Sequence, residues 1–326
     1  MKGLLVFATV LLAALAWVGC DDSEAPFTTG TDTDSDSDTD SDSDTDSDSD
    51  TDTDSDSDTD SDTDPSLTCA LNSKGFQQCT RDDGRGGPFV KISDGPESDF
   101  LMGCDEVRNG TSWTCGPYET PQHPVHLSAF GIDVHEISQA EYKEYIDDTG
   151  AATPTCDWDP DHTPDDPVVC LSYYDLQAYC QWLGGDLPTE AQWEFAARGP
   201  MTDLGDYAAF PWGTNDIDCS HANTSACSRG IDAVTANGAG LSPIGLYNLS
   251  GNVFEWVRDN FATDYYEGSP PLDPQGPDSG MGKVMRGGSW RNADAQARAA
   301  FRTGDDPMTT PTDDVGARCY RPIPAR

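Results

Sequence analysis

An unbroken alternation of Thr-Asp and Ser-Asp pairs runs from Thr31 to Asp64. It contains no apolar residue and places a negative charge at every second position, so it has no surface to bury and its charges repel one another. We expect residues 21–64 to be a disordered acidic stalk; a weak cation-binding or adhesive tract is the alternative. A compact fold is therefore confined to residues 65–326, a length that suits one domain.

The first twenty residues have the features of an export signal. Lys2 supplies a positive charge, Leu4–Val18 form an apolar run too short for a comfortable membrane span, and Trp17–Cys20 resemble a bacterial lipobox. We expect residues 1–20 to be a lipoprotein signal peptide and Cys20 to be the lipid-modified residue, with ordinary cleavage near Gly19 as the alternative. The chain would then be exported and lipid-anchored in the bacterial cell envelope, in the periplasm or at the cell surface.

The cysteine count fits an exported protein. Ten of the eleven cysteines remain once Cys20 is set aside, and an even set predicts up to five disulfides. Short loops close easily, so sequence neighbours are natural partners: Cys69 with Cys79, Cys104 with Cys115, Cys156 with Cys170, and Cys219 with Cys227. The pairing of these eight cysteines stays open. The formal net charge of −41 argues against nucleic acid as a partner, because an acidic surface repels phosphates.

Three helices are predicted by capping boxes, in which a Ser or Thr is followed three residues later by a residue with an acidic or amide side chain. The pairs are Ser138 with Glu141, Ser172 with Asp175, and Thr189 with Gln192. Glycines suited to a left-handed helix end follow each pattern, at Gly150, Gly184 and Gly199.

Two further segments contain the most informative chemistry. GLYNLSGNVFEWVRD occupies Gly245–Asp259, and RGGSW occupies Arg286–Trp290. Asn248 and Glu255 are hard oxygen ligands beside a glycine-containing turn, a combination that suits Ca²⁺. The alternative is that Asn248 only bonds its own turn and Glu255 faces solvent.

These two segments resemble the formylglycine-generating enzyme family, also called the sulfatase-modifying factor domain. Further matches to the same family follow in the same order, at Phe100–Gly103, Glu119–Tyr142, Leu187–Gly199, Pro211–Gly213 and Gly316–Arg321. The resemblance implies an α+β domain over residues 65–326, with the formylglycine-generating-enzyme variant of the C-type lectin fold and little regular secondary structure. It also implies a structural calcium at Asn248, Gly251, Val253 and Glu255. The cysteines left over, Cys180 and Cys319, match a disulfide of the family.

This sequence differs from the family at the two positions where the family's oxidases bind copper. The family's oxidases convert a substrate cysteine to formylglycine with Cu(I) held by two cysteines after the Gly-Gly-Ser, and thiolates are the soft ligands that Cu(I) requires. Counting from Gly287-Gly288-Ser289, those places hold Asn292 and Ala297, and no cysteine lies between Cys227 and Cys319. Copper is therefore not expected as a cofactor.

Two functions remain open from the sequence. Ser289, Trp290, Asn292, Arg298 and Arg302 surround the position of the family's cleft, a mixture that suits a pocket for a polar ligand, with surface ion pairing as the alternative. The missing thiols favour a non-oxidase module that binds a peptide, a glycan or another envelope ligand. The alternative is a formylglycine-generating oxidase, or another enzyme acting on protein cysteine or a small substrate in the same cleft.

Overall fold

The computed structural model describes residues 67–105, 113–201, 208–213, 217–227, 230–308 and 312–323. The expected signal peptide, Cys20 and the acidic stalk lie outside these ranges, so the expectations for them stay predictions. Within the described ranges, no helix is both long enough and apolar enough to cross a membrane.

Three α-helices begin at the predicted capping boxes, and all three boxes are confirmed. The helices are α1 (Gln139–Thr149), α2 (Tyr173–Trp182) and α3 (Glu190–Arg198). In each, the N-cap hydroxyl accepts the backbone N–H three residues on, and the side chain at that position accepts the N-cap N–H. The predicted glycines have positive φ angles of 73° to 78°, which only glycine adopts without strain.

The strands are short and form three sheets. The largest contains, in spatial order and all antiparallel, β1 (Leu67–Leu71), β2 (Gln77–Arg81), β3 (Phe89–Ile92), β6 (Phe130–Asp133) and β11 (Tyr320–Pro322). The second contains β10 (Val315–Gly316), β7 (Phe254–Asn260), β8 (Lys283–Arg286) and β9 (Arg302–Asp305), with β10 parallel to β7. The third pairs β4 (Asp99–Met102) with β5 (His123–His126). The architecture is α+β, as expected.

Helix α3 lies in the main core and is apolar on more than one side. Ala191, Trp193 and Phe195 are each exposed by no more than 1%. The Phe195 ring meets Phe100 of β4 and Phe130 of β6 edge to face, at centroid distances of 5.6 and 5.9 Å. Such contacts add to the free energy gained by burying the rings themselves. The core therefore forms around α3.

Five disulfides link all ten cysteines in the described ranges. Cys180 of α2 is bonded to Cys319, which precedes β11, with an S–S distance of 2.00 Å and a sequence separation of 139 residues. The other pairs are the sequence neighbours Cys69–Cys79, Cys104–Cys115, Cys156–Cys170 and Cys219–Cys227. Five disulfides indicate an oxidising compartment and hence an exported chain.

A buried network of carboxylates and guanidinium groups joins α3 to the second sheet. Arg286 donates to Glu190 at 3.1 Å and to Glu194 at 2.6 Å, and all three side chains are fully buried. Arg302 forms two further bonds to Glu190, at 2.7 and 2.8 Å, and Arg198 bonds Glu194 at 2.8 Å. Buried charges are tolerated only when they are paired in this way, so the positions of α3, β8 and β9 are coupled.

Replacing Arg286 by Met should lower the free energy of unfolding by about 3–5 kcal/mol, because two buried carboxylates lose a partner. Urea denaturation followed by circular dichroism measures the change. The matched control is Lys143→Met, which breaks the exposed Lys143–Asp147 pair on α1 and should have little effect. Equal effects of the two substitutions would contradict the prediction.

Asp259 of β7 lies at the N-terminus of α3, and its Oδ2 accepts the Glu190 N–H at 2.8 Å. A helix N-terminus favours the charged carboxylate. Burial outweighs that effect and, with the neighbouring charge of Glu190, raises the pKa of Asp259 from 3.8 to about 7. The folded chain therefore keeps a proton that the unfolded chain releases near pH 3.8, and stability is lost as the pH rises through this window.

The substitution Asp259→Asn keeps an oxygen for the Glu190 N–H but cannot ionise. We expect the wild type to lose stability relative to this variant as the pH rises from about 4 to about 8, because only the wild type must release the buried proton. Urea denaturation across this range gives the difference in free energy of unfolding at each pH. Parallel curves for the two proteins would show that Asp259 does not titrate in this window.

Candidate functional site

The Gly-Gly-Ser turn after β8 places its side chains by a backbone that only glycine adopts easily. Gly287 and Gly288 have φ angles of 90° and 72°. A Cβ atom added to Gly288 would lie 2.8 Å from the carbonyl oxygen of Gln296, so the turn packs directly against the chain that follows. The turn buries Ser289 completely and leaves Trp290 partly exposed.

Two side-chain oxygen atoms hold the Ser289 hydroxyl, and none of its described hydrogen bonds is to a histidine. Its Oγ lies 2.5 Å from Asn292 Oδ1 and 2.8 Å from Asp314 Oδ2, and its backbone N–H donates to the same Asn292 oxygen at 3.0 Å. The Asn292 side chain therefore closes the turn on itself. Ala297 is 1% exposed, and its carbonyl oxygen accepts the Ser250 hydroxyl at 2.7 Å.

Arg298 and Arg302, grouped with the cleft in the sequence analysis, lie instead in buried ion pairs. Arg298 forms a two-bond pair with Glu119, both bonds being 2.7 Å long. Arg302 is bonded to Glu190, and its guanidinium lies 4.4 Å from the centre of the Tyr266 ring. Both side chains are at most 5% exposed. Their charges hold the fold together, so neither guanidinium is free for a ligand.

Trp290 borders a cavity of about 480 Å³. Residues that follow α1 in the chain line the same cavity, among them Asp157, Trp158 and Asp159. The complete described lining is Gln139, Asp157, Trp158, Asp159, Thr163, Asp166, Gly230, Ile231, Trp290 and Asp313. We call this the indole pocket. It contains two indoles and four carboxylates, and none of its described lining residues is basic.

Residues of α1 hold the Asp157–Asp159 part of the indole pocket in place. Gln139 of α1 donates to the Asp157 carbonyl at 2.9 Å and accepts the Asp159 N–H at 2.8 Å. The Trp158 ring meets Tyr142 edge to face at 6.2 Å. Burial, together with the charges of Asp165 and Asp232, raises the pKa of Asp166, so this carboxyl is easier to protonate than an exposed aspartate.

The expected calcium segment is built around a buried ion pair. Both Glu255 oxygens accept bonds of 2.7 Å from Arg318, and Trp193 Nε1 donates to one of them at 2.8 Å. Asn248 and Gly251 have left-handed backbone angles, with φ of 54° and 76°. The Asn248 side chain donates to Glu136 at 3.1 Å.

Glu136 adds a second buried carboxylate to the same place. Asn252 Nδ2 donates to it at 2.9 Å. Burial raises the pKa of Glu136 to about 8, opposed by the charge of Arg318 and reinforced by that of Glu255. Glu136 and Glu255 thus both act electrostatically on the guanidinium of Arg318, and Glu136 is the one that burial keeps protonated.

The donor chemistry fits Ca²⁺ only in part. All the oxygens are hard ligands, as calcium prefers. Arg318 and Trp193 already use three of the roughly four acceptor directions of the Glu255 carboxylate. A calcium ion would have to be held chiefly by carbonyl oxygens of Asn248, Gly251 and Val253 and would share Glu255 with Arg318.

Only some of the residues predicted to surround the cleft therefore lie together. Ser289, Trp290 and Asn292 share one turn, whereas Arg298 and Arg302 are committed to Glu119 and Glu190. Sequence reasoning missed that Asp157, Trp158 and Asp159 line the same cavity as Trp290. A tryptophan inside the acidic run from Cys156 to Asp166 was the available signal, since an indole among charges is unusual in a solvent-exposed loop.

Comparisons with known proteins agree on the family and the fold. The sulfatase-modifying factor enzyme 1-like domain matches residues 86–323. The formylglycine-generating enzyme of Bos taurus is 29% identical over 295 residues, which cover 72% of this chain and 76% of that protein. The structure of PvdO from Pseudomonas aeruginosa superposes with a TM-score of 0.59 at 22% identity, covering 79% of this chain and 99% of PvdO. The expected formylglycine-generating-enzyme variant of the C-type lectin fold is confirmed.

A further relative is longer than this chain. The serine/threonine-protein kinase pkn1 of Chlamydia pneumoniae is 32% identical over 226 residues, which cover 63% of this chain. The match covers only 35% of that protein's own length. The similarity therefore concerns one part of the relative.

Proposed function

The chain belongs to the sulfatase-modifying factor family, and we propose that it is a non-oxidase member that binds a ligand in the indole pocket. The observation that supports this most directly is the chemistry at the two positions expected to hold copper. One is Asn292, whose oxygen is bonded to Ser289, and the other is the buried Ala297.

These residues do not fit a Cu(I) centre. Cu(I) requires soft thiolate ligands, and an amide oxygen and a methyl group offer none. The ten cysteines in the described ranges are all oxidised in disulfides, so no thiolate from them could substitute. The described hydrogen bonds of the Ser289 hydroxyl are to Asn292 and Asp314 and to the Arg291 N–H, with no histidine among them, which supports a structural role for the hydroxyl.

We place this binding module at the bacterial cell envelope. The disulfides support an oxidising compartment, and the lipobox-like Trp17–Cys20 supports a lipid anchor at Cys20, with the acidic stalk holding the domain away from the membrane. The ligand would be a peptide, a glycan or another envelope component. Nucleic acid is disfavoured by the net charge of −41.

An enzymatic role is the second candidate. It is favoured by relatives named formylglycine-generating enzyme, such as that of Bos taurus. The same cleft would then act on protein cysteine or on a small substrate. Copper binding and aldehyde formation separate the two proposals.

We expect the purified chain to bind no Cu(I) tightly and to form no aldehyde on a Cys-x-Pro-x-Arg peptide supplied with copper and oxygen. Competition with a Cu(I) chelator measures the first, and mass spectrometry of the peptide measures the second. The matched variant is the double substitution Asn292→Cys with Ala297→Cys, which installs two thiols and should gain Cu(I) binding. Aldehyde formation above a no-protein control, if it is lost in Ser289→Ala, would contradict the proposal and show that the chain is an oxidase.

We also propose a structural Ca²⁺ at Asn248, Gly251, Val253 and Glu255. The hard oxygens of this segment support it. Its role would be to hold the Gly245–Asp259 segment against the turn at Ser289.

Calcium should raise the melting temperature of the wild-type chain relative to a chelator, because binding at about 100 times the dissociation constant adds about 2.7 kcal/mol. The melting temperature is a better measure of this site than the number of calcium ions bound per chain, since the repeat from Thr31 to Asp64 offers many weak cation sites. Glu255→Ala is a poor test, because it strands Arg318 whether or not calcium binds. Magnesium, which demands a tighter octahedral site, is the control. Equal melting temperatures in calcium and chelator would exclude the site.

A further inference from the structure

The hairpin of β1 and β2 precedes the family match, which begins at residue 86. The Cys69–Cys79 disulfide joins its two strands. The Asn72 side chain shapes the turn between them, because its Oδ1 accepts the Lys74 N–H at 2.9 Å and its Nδ2 donates to the Ile244 carbonyl at 2.9 Å. The backbone of Lys74 is therefore held against the segment that contains Ile244.

Gly245 leaves room for this turn. Its φ angle is 91°, and a Cβ atom added to it would lie 2.7 Å from Asn72 Nδ2 and 3.5 Å from Lys74 Cγ. The stem of Lys74 thus lies beside a residue that has no side chain of its own. Phe76 packs against the main core. Side chains two residues before and two residues after Lys74 therefore fasten the hairpin to the domain.

The hairpin borders a cavity of about 520 Å³ that shares no described lining residue with the indole pocket. We call it the hairpin pocket, and its lining includes Lys74, Pro211, Trp212, His221, Leu241 and Pro243. The excess of acidic residues in the chain opposes anionic ligands in general. The hairpin pocket is an exception, because none of its described lining residues is acidic.

Trp212 and His221 give the hairpin pocket aromatic surface. Their ring centres lie 4.9 Å apart, with the ring planes inclined at 34°. Trp212 also stacks on the buried Phe210 ring, at 4.9 Å, and His221 Nδ1 lies 2.9 Å from Asp218 Oδ1. The same Asp218 oxygen accepts the N–H and the hydroxyl of Ser220. Both rings are therefore held by neighbours, and the lining around them is largely apolar.

Lys74 is a cationic residue at this apolar lining. Its side chain is exposed, and its one described hydrogen bond is made by the backbone N–H, so no described partner occupies the ammonium group. An ammonium group next to aromatic and proline surface suits a ligand that has an anionic head on an apolar body. The single charge of Lys74 matches a carboxylate more closely than the double charge of a phosphate.

We propose that the hairpin pocket binds a carboxylate ligand with an aromatic or other flat apolar body, which pairs its carboxylate with Lys74 and lays its body against Trp212 and His221. This site is separate from the binding function proposed for the indole pocket and does not depend on it. The carboxylate is the C-terminus of a peptide or part of a free small molecule. Both sources present the same chemistry.

Isothermal titration calorimetry on the full chain tests the proposal with two probes. One is phenylacetate, and the other is the peptide acetyl-Gly-Gly-Phe with a free C-terminus, each compared with its primary amide, which has the same shape without the charge. The ratio of carboxylate affinity to amide affinity isolates the effect of the charge. Binding of the peptide acid alone identifies a peptide C-terminus as the source, and binding of phenylacetate identifies a small molecule.

Two pairs of variants locate the site. Lys74→Gln should lower the affinity ratio about two- to fivefold at physiological ionic strength, where remote charges are screened. Lys91→Gln makes the same charge change on β3, outside the lining, and should leave the ratio unchanged. Trp212→Leu should weaken the carboxylate and the amide together, about two- to tenfold, because both lose the ring contact. Its control is Trp182→Leu, at a partly exposed indole outside the lining.

Failure of the wild-type chain to bind either carboxylate would overturn the proposal. Equal effects within either pair of variants would overturn it as well, because they would show that the charge or the ring acts at no particular place. Each of these results leaves the non-oxidase proposal standing, since copper binding and aldehyde formation test that proposal separately.

Discussion

The pairing of buried carboxylates with buried arginines is the interaction on which the rest of this structure depends. Glu190 and Glu194 enter the core on α3, and Arg198, Arg286 and Arg302 neutralise them there. The Arg286 guanidinium also lies 5.1 Å from the centre of the Trp193 ring. Removing any one partner would leave a desolvated charge. The position of α3 therefore depends on the position of the sheet that contains β8 and β9.

These pairs also position the motif segments. Arg286 ends β8 immediately before the Gly287-Gly288-Ser289 turn, and Arg318 holds Glu255 immediately before the Cys319 disulfide. The turn at Ser289 therefore starts from a residue that cannot move without exposing a charge. That turn fixes the position of Trp290, so the part of the indole pocket that Trp290 lines is rigid.

The internal use of arginine has a consequence at the surface. The chain has 18 basic residues against 59 acidic ones. Six arginines whose side chains are at most 5% exposed are used in internal ion pairs, namely Arg198, Arg286, Arg298, Arg302, Arg318 and Arg321. Much of the acidic charge is left without a basic neighbour. That imbalance favours cationic partners and disfavours anionic ones.

The sequence by itself determined the local features and the family. A capping box such as Ser138 with Glu141 spans four residues, so its hydrogen bonds form within one helical turn, and glycines such as Gly288 mark backbone that other residues avoid. The tertiary structure alone decided which charges meet. Arg298 pairs with Glu119 across 179 residues, and Trp290 lines the same cavity as Asp157, Trp158 and Asp159. Such partners are selected by burial and packing of the whole domain, and no local pattern distinguishes an arginine that binds a ligand from one that neutralises a carboxylate in the core.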